Sequence, residues 1–289
     1  MIKPMLAHDL SDKSSRKKVN SYTEHNQHEM FVQPKLDGVR VVGNLKNGKM
    51  FKRSGKEVTS CPHLHQELIK VGKLSTFRSL EWLDGELFNE SLTFSEINSI
   101  VSRTKNLHDN HKEIQFHVFD VVMDSSFSNR KREISRLAYT HPVSISPYIK
   151  TVETISLGHI SYKGLQMFDK YCQDFIECGY EGLMVRIDNL PYENKRSNQL
   201  FKYKYFKDSE YTILDAVEQN NHPNVLGSFL VTDGKVSFRV RPSVTKEELK
   251  EYWKNKDDHI GKLATVKYQE ITDDGYPRFP VMVGIREDL

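Results

Sequence analysis

Phe31-Val32-Gln33-Pro34-Lys35-Leu36-Asp37-Gly38-Val39-Arg40-Val41-Val42 reads as two short apolar strands folded about a polar Asp37-Gly38 turn. A lysine closes the first strand and an arginine opens the second. Taken alone, the bland reading is a polar hairpin turn, and a lysine before such a turn is unremarkable. Working outward, Asn47-Gly48 is a strong hairpin signal leading into Met50–Arg53. Glu81–Phe88 and Ile114–Met123 carry further strand patterns. Lys163–Cys178 puts Leu165, Phe168, Cys172, Phe175 and Ile176 on one helical face, and Gly179 is a natural stop. Gly182–Ile187 and Leu200–Phe206 then read as strands.

The pattern changes after Lys207-Asp208-Ser209. Tyr211–Glu218, Gly227–Thr232 and Lys235–Arg241 predict three strands. Thr245–Lys254 predicts a helix with Thr245 as N-cap and Glu248 in capping-box position. Leu263–Glu270 and Val281–Arg286 predict two more strands. Three strands, a helix and two strands is the order of a small OB-type barrel. The expected class is α+β: antiparallel sheets with helices over residues 1–208, then an OB-fold β-barrel over residues 209–289.

Composition narrows the class further. A chain of 289 residues with 37% hydrophobic content can bury a core. No apolar run approaches the ~18 residues that span a bilayer, and the opening MIKPMLAHDLSDKSS lacks a secretory apolar stretch. The expectation is a cytoplasmic monomer with no membrane partner, of a kind that a virus or phage can encode. Three cysteines, Cys61, Cys172 and Cys178, form no CxxC pair, and His63-x-His65 has no partner cluster, which argues against disulfide or zinc frameworks. With a net charge of only +3, any polyanion must be met by local patches.

Four further segments carry chemistry. Leu83-Asp84-Gly85-Glu86-Leu87 sets two carboxylates two residues apart, on one face of a strand. Phe116-His117-Val118-Phe119-Asp120 places an aromatic near the end of a buried strand. Glu181-Gly182-Leu183-Met184-Val185-Arg186 opens a strand with a carboxylate. Leu200-Phe201-Lys202-Tyr203-Lys204-Tyr205 alternates lysine with aromatic, so Lys202 and Lys204 can line a cleft while the aromatics cover a core. An edge strand that uses lysine against aggregation would show the same pattern.

In this order and spacing, the five segments resemble the motifs of the covalent nucleotidyltransferases: ATP-dependent DNA ligases, RNA ligases and mRNA-capping guanylyltransferases. Lys35-x-Asp37-Gly38-x-Arg40 matches the motif carrying the adenylated lysine. The C-terminal Pro277-Arg278-Phe279-Pro280-Val281-Met282-Val283-Gly284-Ile285-Arg286-Glu287-Asp288 looks like the last motif of ATP-dependent DNA ligases. Leu226-Gly227-Ser228-Phe229-Leu230-Val231 resembles the opening of the second strand in their OB domain. The resemblance is to compact, virus-type DNA ligases, with RNA ligase and capping enzyme as alternatives. A catalytically silent nucleic-acid binder is disfavoured because every expected charged position is filled. Two features depart from the pattern. Leu289 stands where the family often has lysine, which weakens a role for Asp288, and only Glu218–Val225 is available where many relatives insert a latch around DNA.

The resemblance implies ATP as cosubstrate, Mg2+ (or Mn2+), and nicked duplex DNA as partner. It casts Lys35 as nucleophile, Lys202 and Lys204 at the α-phosphate, and Asp37 and Asp84 in later steps. Phe119 would stack on adenine, Gln33 read the base edge, Glu86 bind ribose, and Arg40 and Arg53 meet phosphates of nucleotide or nick. Glu181, then Glu86, would hold metal, while Arg278 and Arg286 would orient pyrophosphate. Phosphoryl transfer is helped mainly by positioning and charge neutralisation, which is why such a site is rich in lysine, arginine and carboxylate. Two polar stretches, Ser102–Glu113 and Ser125–Glu133, read as loops. Their Arg103, Lys105, Arg130, Lys131 and Arg132 would grip backbone phosphates without regard to sequence. Arg16-Lys17-Lys18 reads as a solvated face or a flexible loop.

Overall fold

Two mainly antiparallel sheets carry the first unit of the chain. A computed structural model describes every residue except 1, 25–27, 75–79, 141–145, 160–163, 205, 273 and 287–289. Asp288 and Leu289 therefore lie outside the described residues. Two compact units emerge, residues 1–204 and 205–289.

In the first unit, one sheet takes the order β1 (Leu6–Asp9), β11 (Arg196–Tyr203), β10 (Gly182–Ile187), β2 (Glu29–Lys35), β9 (Ile155–His159). The other takes the order β5 (Glu57–Val58), β4 (Met50–Lys52), β3 (Val39–Asn44), β6 (Trp82–Phe88), β7 (Gln115–Val121), β8 (Ile149–Thr151). Among the described residues of this unit, the β1–β11 and β7–β8 pairs are parallel and the other pairs antiparallel. Strand alternation decides which side chains meet which surface. On β10, Leu183, Val185 and Ile187 join one apolar core, while Met184 and Arg186 line a cleft. On β11, Phe201 joins that core, while Leu200 and Lys202 line the cleft.

Helices α1 (Lys13–Glu24) and α5 (Gly164–Glu177) cover the back of the first sheet through Val19, Phe168, Cys172 and Phe175. The second sheet is covered by α2 (Pro62–Gly72), α3 (Phe94–Val101) and α4 (Phe127–Thr140), which contribute Leu64, Leu68, Ile97, Ile100, Ile134 and Leu137. The expected helix at Lys163–Cys178 is α5; Arg16-Lys17-Lys18 lies on α1 rather than in a loop. Two half-buried histidines of α2 tie down carbonyls: His63 reaches Ile114 O at 2.9 Å, and His65 reaches Val58 O at 2.7 Å.

The stretch Ser125–Glu133 is not a loop. Helix α4 starts at Phe127, and Phe127, Arg130, Ile134 and Leu137 recur at three- and four-residue spacing on one buried face. Arg130 is thus turned into the core by helical geometry. It is 1% exposed, which removes it as a contact for DNA phosphates.

The second unit is a closed five-stranded barrel of β12 (Lys207–Glu218), β13 (Leu226–Thr232), β14 (Ser237–Pro242), β16 (Val281–Ile285) and β15 (Leu263–Tyr268). Its helix α6 (Lys246–Lys254) has the expected capping box, with Glu248 N donating to Thr245 Oγ1 and Thr245 N donating to Glu248 Oε2. Leu249 brings it onto a core of Tyr211, Ile213, Phe229, Val231, Val266 and Met282. This is an OB-type barrel. Among the described residues no helix is long and apolar enough to cross a membrane.

Candidate functional site

The cleft between the two sheets of the first unit has a volume of about 300 Å³. Strand β2 brings Gln33 and Lys35 to it, β10 brings Met184 and Arg186, and β11 brings Leu200 and Lys202. From the other sheet come Arg40 of β3, Glu86 of β6 and Phe119 of β7, with Arg53 from the turn after β4. Side chains from these seven segments, spread from position 33 to position 202, converge on one cavity.

Lys35 stands where β2 ends. Its ammonium pairs with Glu181, and the other oxygen of Glu181 pairs with Lys204. Backbone pairing sets up this contact: Glu181 N donates to Lys35 O at 2.9 Å, and Gly182 sits opposite Lys35 in the β2–β10 ladder. Gly182 has φ of +154°, and a Cβ there would fall 2.5 Å from Tyr203 O, so only glycine lets β11 come this close. Burial works to raise the Glu181 carboxyl, but attraction to Lys35 and hydrogen bonds from Lys204 and Lys35 outweigh it. The group is held below the ordinary glutamate range. Lys202 makes a separate pair with Asp9 at 3.0 Å.

Glu86 is half-buried, and burial pushes its carboxyl up to about 8 against the pull of Arg40 and Lys35. A glutamic acid near neutral pH can both donate and accept a hydrogen bond. Gly38 makes room for it: a Cβ at position 38 would lie 2.9 Å from Glu86 Cγ and 2.4 Å from Leu87 O. Phe119 is half-buried, with the Arg40 guanidinium 5.1 Å and the Arg186 guanidinium 5.6 Å from its ring centroid.

Behind these groups lies a layer of buried charge. Arg40 is held by Asp84 through Nε (3.1 Å) and Nη2 (2.6 Å), and the Tyr192 hydroxyl donates to Asp84 at 2.6 Å. Burial would lower the Arg40 guanidinium, but Asp84 more than compensates, and it titrates above its ordinary value. Asp84 is fully buried. Its two oxygens accept from Arg40 and Tyr192, which holds the Arg40 guanidinium in place beside the cleft. Asp37 is half-buried in the turn after Lys35.

Other sequence expectations sort differently. Arg103 and Lys105 are exposed, in the loop after α3. Lys131 is half-buried with Nζ 4.8 Å from the Phe31 ring centroid, and Arg132 is exposed beside Asn129. In the barrel unit, Arg278 pairs with Glu270 at 2.6 Å and Arg286 lies 4.0 Å from Glu210. Sequence reading missed Arg196, Met184 and Asp9. Asp9 and Arg196 lie on the β1–β11 pair, whose short edge strand has no alternation long enough to announce it.

For a divalent cation, no group of three or more His, Cys, Asp or Glu stands close enough among the described residues to hold one unaided. Magnesium that is shared with phosphates and water needs only one or two carboxylates. Glu181, paired with the cleft residue Lys35 and holding a charged carboxylate, fits that need, and Glu86 with its raised value fits it less well.

Comparisons with known proteins agree with the geometry. A family model described as ATP dependent DNA ligase domain matches residues 4–204, and one described as DNA ligase OB-like domain matches residues 219–286. A DNA ligase of Haemophilus influenzae is 26% identical over 250 residues, covering 86% of this chain and 83% of that protein. A DNA ligase of African swine fever virus is 26% identical over 282 residues, covering 89% of this chain and 64% of that longer protein. Among solved structures, one from a structure–function study of Lig E DNA ligases superposes with a TM-score of 0.71 at 21% identity, covering 99% of this chain and all of that one.

Proposed function

Because the chain belongs to the ATP-dependent DNA ligase family, enzymes that form phosphodiester bonds, we propose that it seals nicks in duplex DNA through AMP carried on Lys35. The observation that carries the assignment to Lys35 is its place at the cleft mouth, joined to Glu181 and flanked by Lys204. RNA ligase and capping enzyme use the same lysine chemistry but are not favoured, since both matched family models describe DNA ligases.

Three steps follow. The neutral amine of Lys35 attacks the α-phosphorus of ATP and pyrophosphate leaves. The 5′-phosphate at a nick attacks the lysyl-AMP, leaving adenylated DNA. The 3′-hydroxyl attacks that end and AMP departs. In this reading Phe119 stacks on adenine, Gln33 lies at the base edge, protonated Glu86 meets the ribose hydroxyls, and Lys202, Lys204 and Arg40 neutralise phosphate charge. Arg53 and Asp37 serve the nick end, and Arg278 and Arg286 serve pyrophosphate. Glu181, whose carboxylate is held charged, would hold Mg2+ or Mn2+, which would supply charge neutralisation to the phosphates, while protonated Glu86 is left to the ribose. Arg103, Lys105 and Arg132 remain as exposed phosphate contacts, and Lys131 joins them only through its ammonium end.

The test incubates the purified chain with α-labelled ATP or GTP. Label from ATP stays on the protein and is lost in Lys35→Ala; label that survives the substitution, or comes from GTP alone, would refute the assignment.

A further inference from the structure

The floor of the cleft contains a chain of buried polar groups whose hydrogen bonds are directional. Gln33 is 1% exposed, and its Nε2 donates to Phe119 O at 3.1 Å and to Thr154 Oγ1 at 2.8 Å. Its Oε1 accepts from Arg186 Nε at 2.6 Å. Arg186 also donates through Nη1 to Asp120 Oδ2 at 2.6 Å. Asp120 is held in turn by Arg130, through Nε at 2.8 Å and Nη2 at 3.3 Å. Arg186, Asp120 and Arg130 are all nearly or fully buried.

A carboxamide can usually turn end for end at little cost, exchanging a donor for an acceptor. Here it cannot. Turned over, Gln33 would set its NH2 against the guanidinium N–H of Arg186 and its oxygen against the carbonyl of Phe119. Both contacts would become like facing like in a place without competing water. With both Nε2 protons engaged, Gln33 keeps only a lone pair of Oε1 for a base in the cleft. A purine with a 6-amino group supplies the matching donor. A 6-oxo purine brings an acceptor to an acceptor.

We propose that Arg186, anchored by Asp120 and Arg130, is a specificity-determining positioning residue: it fixes the polarity of the Gln33 carboxamide, so that the cleft takes 6-amino purine nucleotides and refuses 6-oxo ones. This inference rests on the ATP chemistry proposed for the same cleft and adds the residue that makes the choice of base. Arg186 acts through Gln33. Its position five residues after Glu181, as the cationic end of an otherwise apolar strand, carries no hint of this in the sequence.

The experiment measures self-labelling of the full chain with α-labelled ATP and ITP; ITP has the 6-oxo group without guanine's 2-amino group and so isolates one position. Wild type prefers ATP. Arg186→Met frees the carboxamide to turn, and the ATP:ITP ratio of kcat/KM narrows by at least about tenfold, carried by KM, as expected for a lost ground-state hydrogen-bond match. A folded Arg186→Met protein whose ratio stays within about threefold of wild type, or changes only in kcat, overturns the proposal. If Arg186→Met does not fold, Gln33 decides. Gln33→Glu retains an acceptor facing Arg186 and keeps the preference, while Gln33→Leu loses it; equal ratios in the two variants overturn the proposal. No labelling of wild type by ATP would count against the ligase chemistry itself, whereas labelling with an immovable ratio counts only against Arg186.

Discussion

Arg130→Met separates the buried arginine from its exposed neighbours. Arg130 donates to Asp120 through Nε and Nη2, and through Nη1 to Ser125 O at 2.7 Å and Leu190 O at 3.3 Å. Its guanidinium also lies 5.3 Å from the Phe127 ring centroid and 5.7 Å from that of Tyr192. Methionine fills much of the volume but leaves two carbonyls without donors and takes one of two arginines from Asp120. Asp120 keeps Arg186 and the Val121 N–H, so the loss falls short of a fully orphaned charge. Breaking one side of a buried ion pair costs about 3–5 kcal/mol, and the retained partners place the expectation at the lower end of that range. For a unit of this size, each kcal/mol moves Tm by roughly 2–4 °C, giving a drop of roughly 6–12 °C. Nicked-duplex affinity, measured well below that transition over a series of salt concentrations, should keep its wild-type slope. Arg132→Ala should do the reverse, leaving Tm in place and reducing the slope by about 0.9 for one lost phosphate contact. The reasoning fails if Arg130→Met costs less than about 1 kcal/mol, or if it lowers the salt slope as an exposed arginine would.

Gly38→Ala would drive a methyl group against Leu87 O and Glu86 Cγ; we expect a loss of about 1–3 kcal/mol by urea denaturation together with weaker labelling by ATP, and an unchanged midpoint would show that the turn is not tight. Glu86 gives a pH signature. Its folded-state value of about 8 exceeds the ordinary 4.5, so across that window the folded state holds a proton that the unfolded chain has released. Stability therefore falls as pH rises from about 4.5 to about 8 and then levels. Chemical denaturation across this range should show a shallower fall in Glu86→Gln than in wild type, and parallel curves would mean that Glu86 is ionised throughout.

Much of the site was legible because each motif is a local statement. Lysine before an Asp-Gly turn, carboxylates two apart and lysines two apart on a strand are all decided within a few residues by strand geometry. The barrel was legible for the same reason: strand, turn and capping signals follow one another without a long interruption, and Thr245 and Glu248 cap the one helix between them. Helices α2, α3 and α4 were overlooked although their signals were present. Pro62 opens α2, Thr93 and Glu96 form a capping box on α3, and Phe127, Ile134 and Leu137 trace an apolar stripe along α4. Dense polar residues between the apolar ones hid the periodicity.

Sequence alone determined the order of the chemical groups, the alternation that sends lysines to one face and aromatics to the other, and the family these motifs announce. Only the tertiary structure decided which charges are solvent-facing tools and which are internal supports. Arg130 and Arg132 are indistinguishable as letters, as are Asp84 and Glu86 as members of a carboxylate pair. The choice rests on partners distant in the chain: Asp84 with Tyr192, 108 residues away, and Arg186 with Gln33, 153 residues away. A buried charge persists only where such partners repay its lost hydration, and that condition exists only once the sheets have come together.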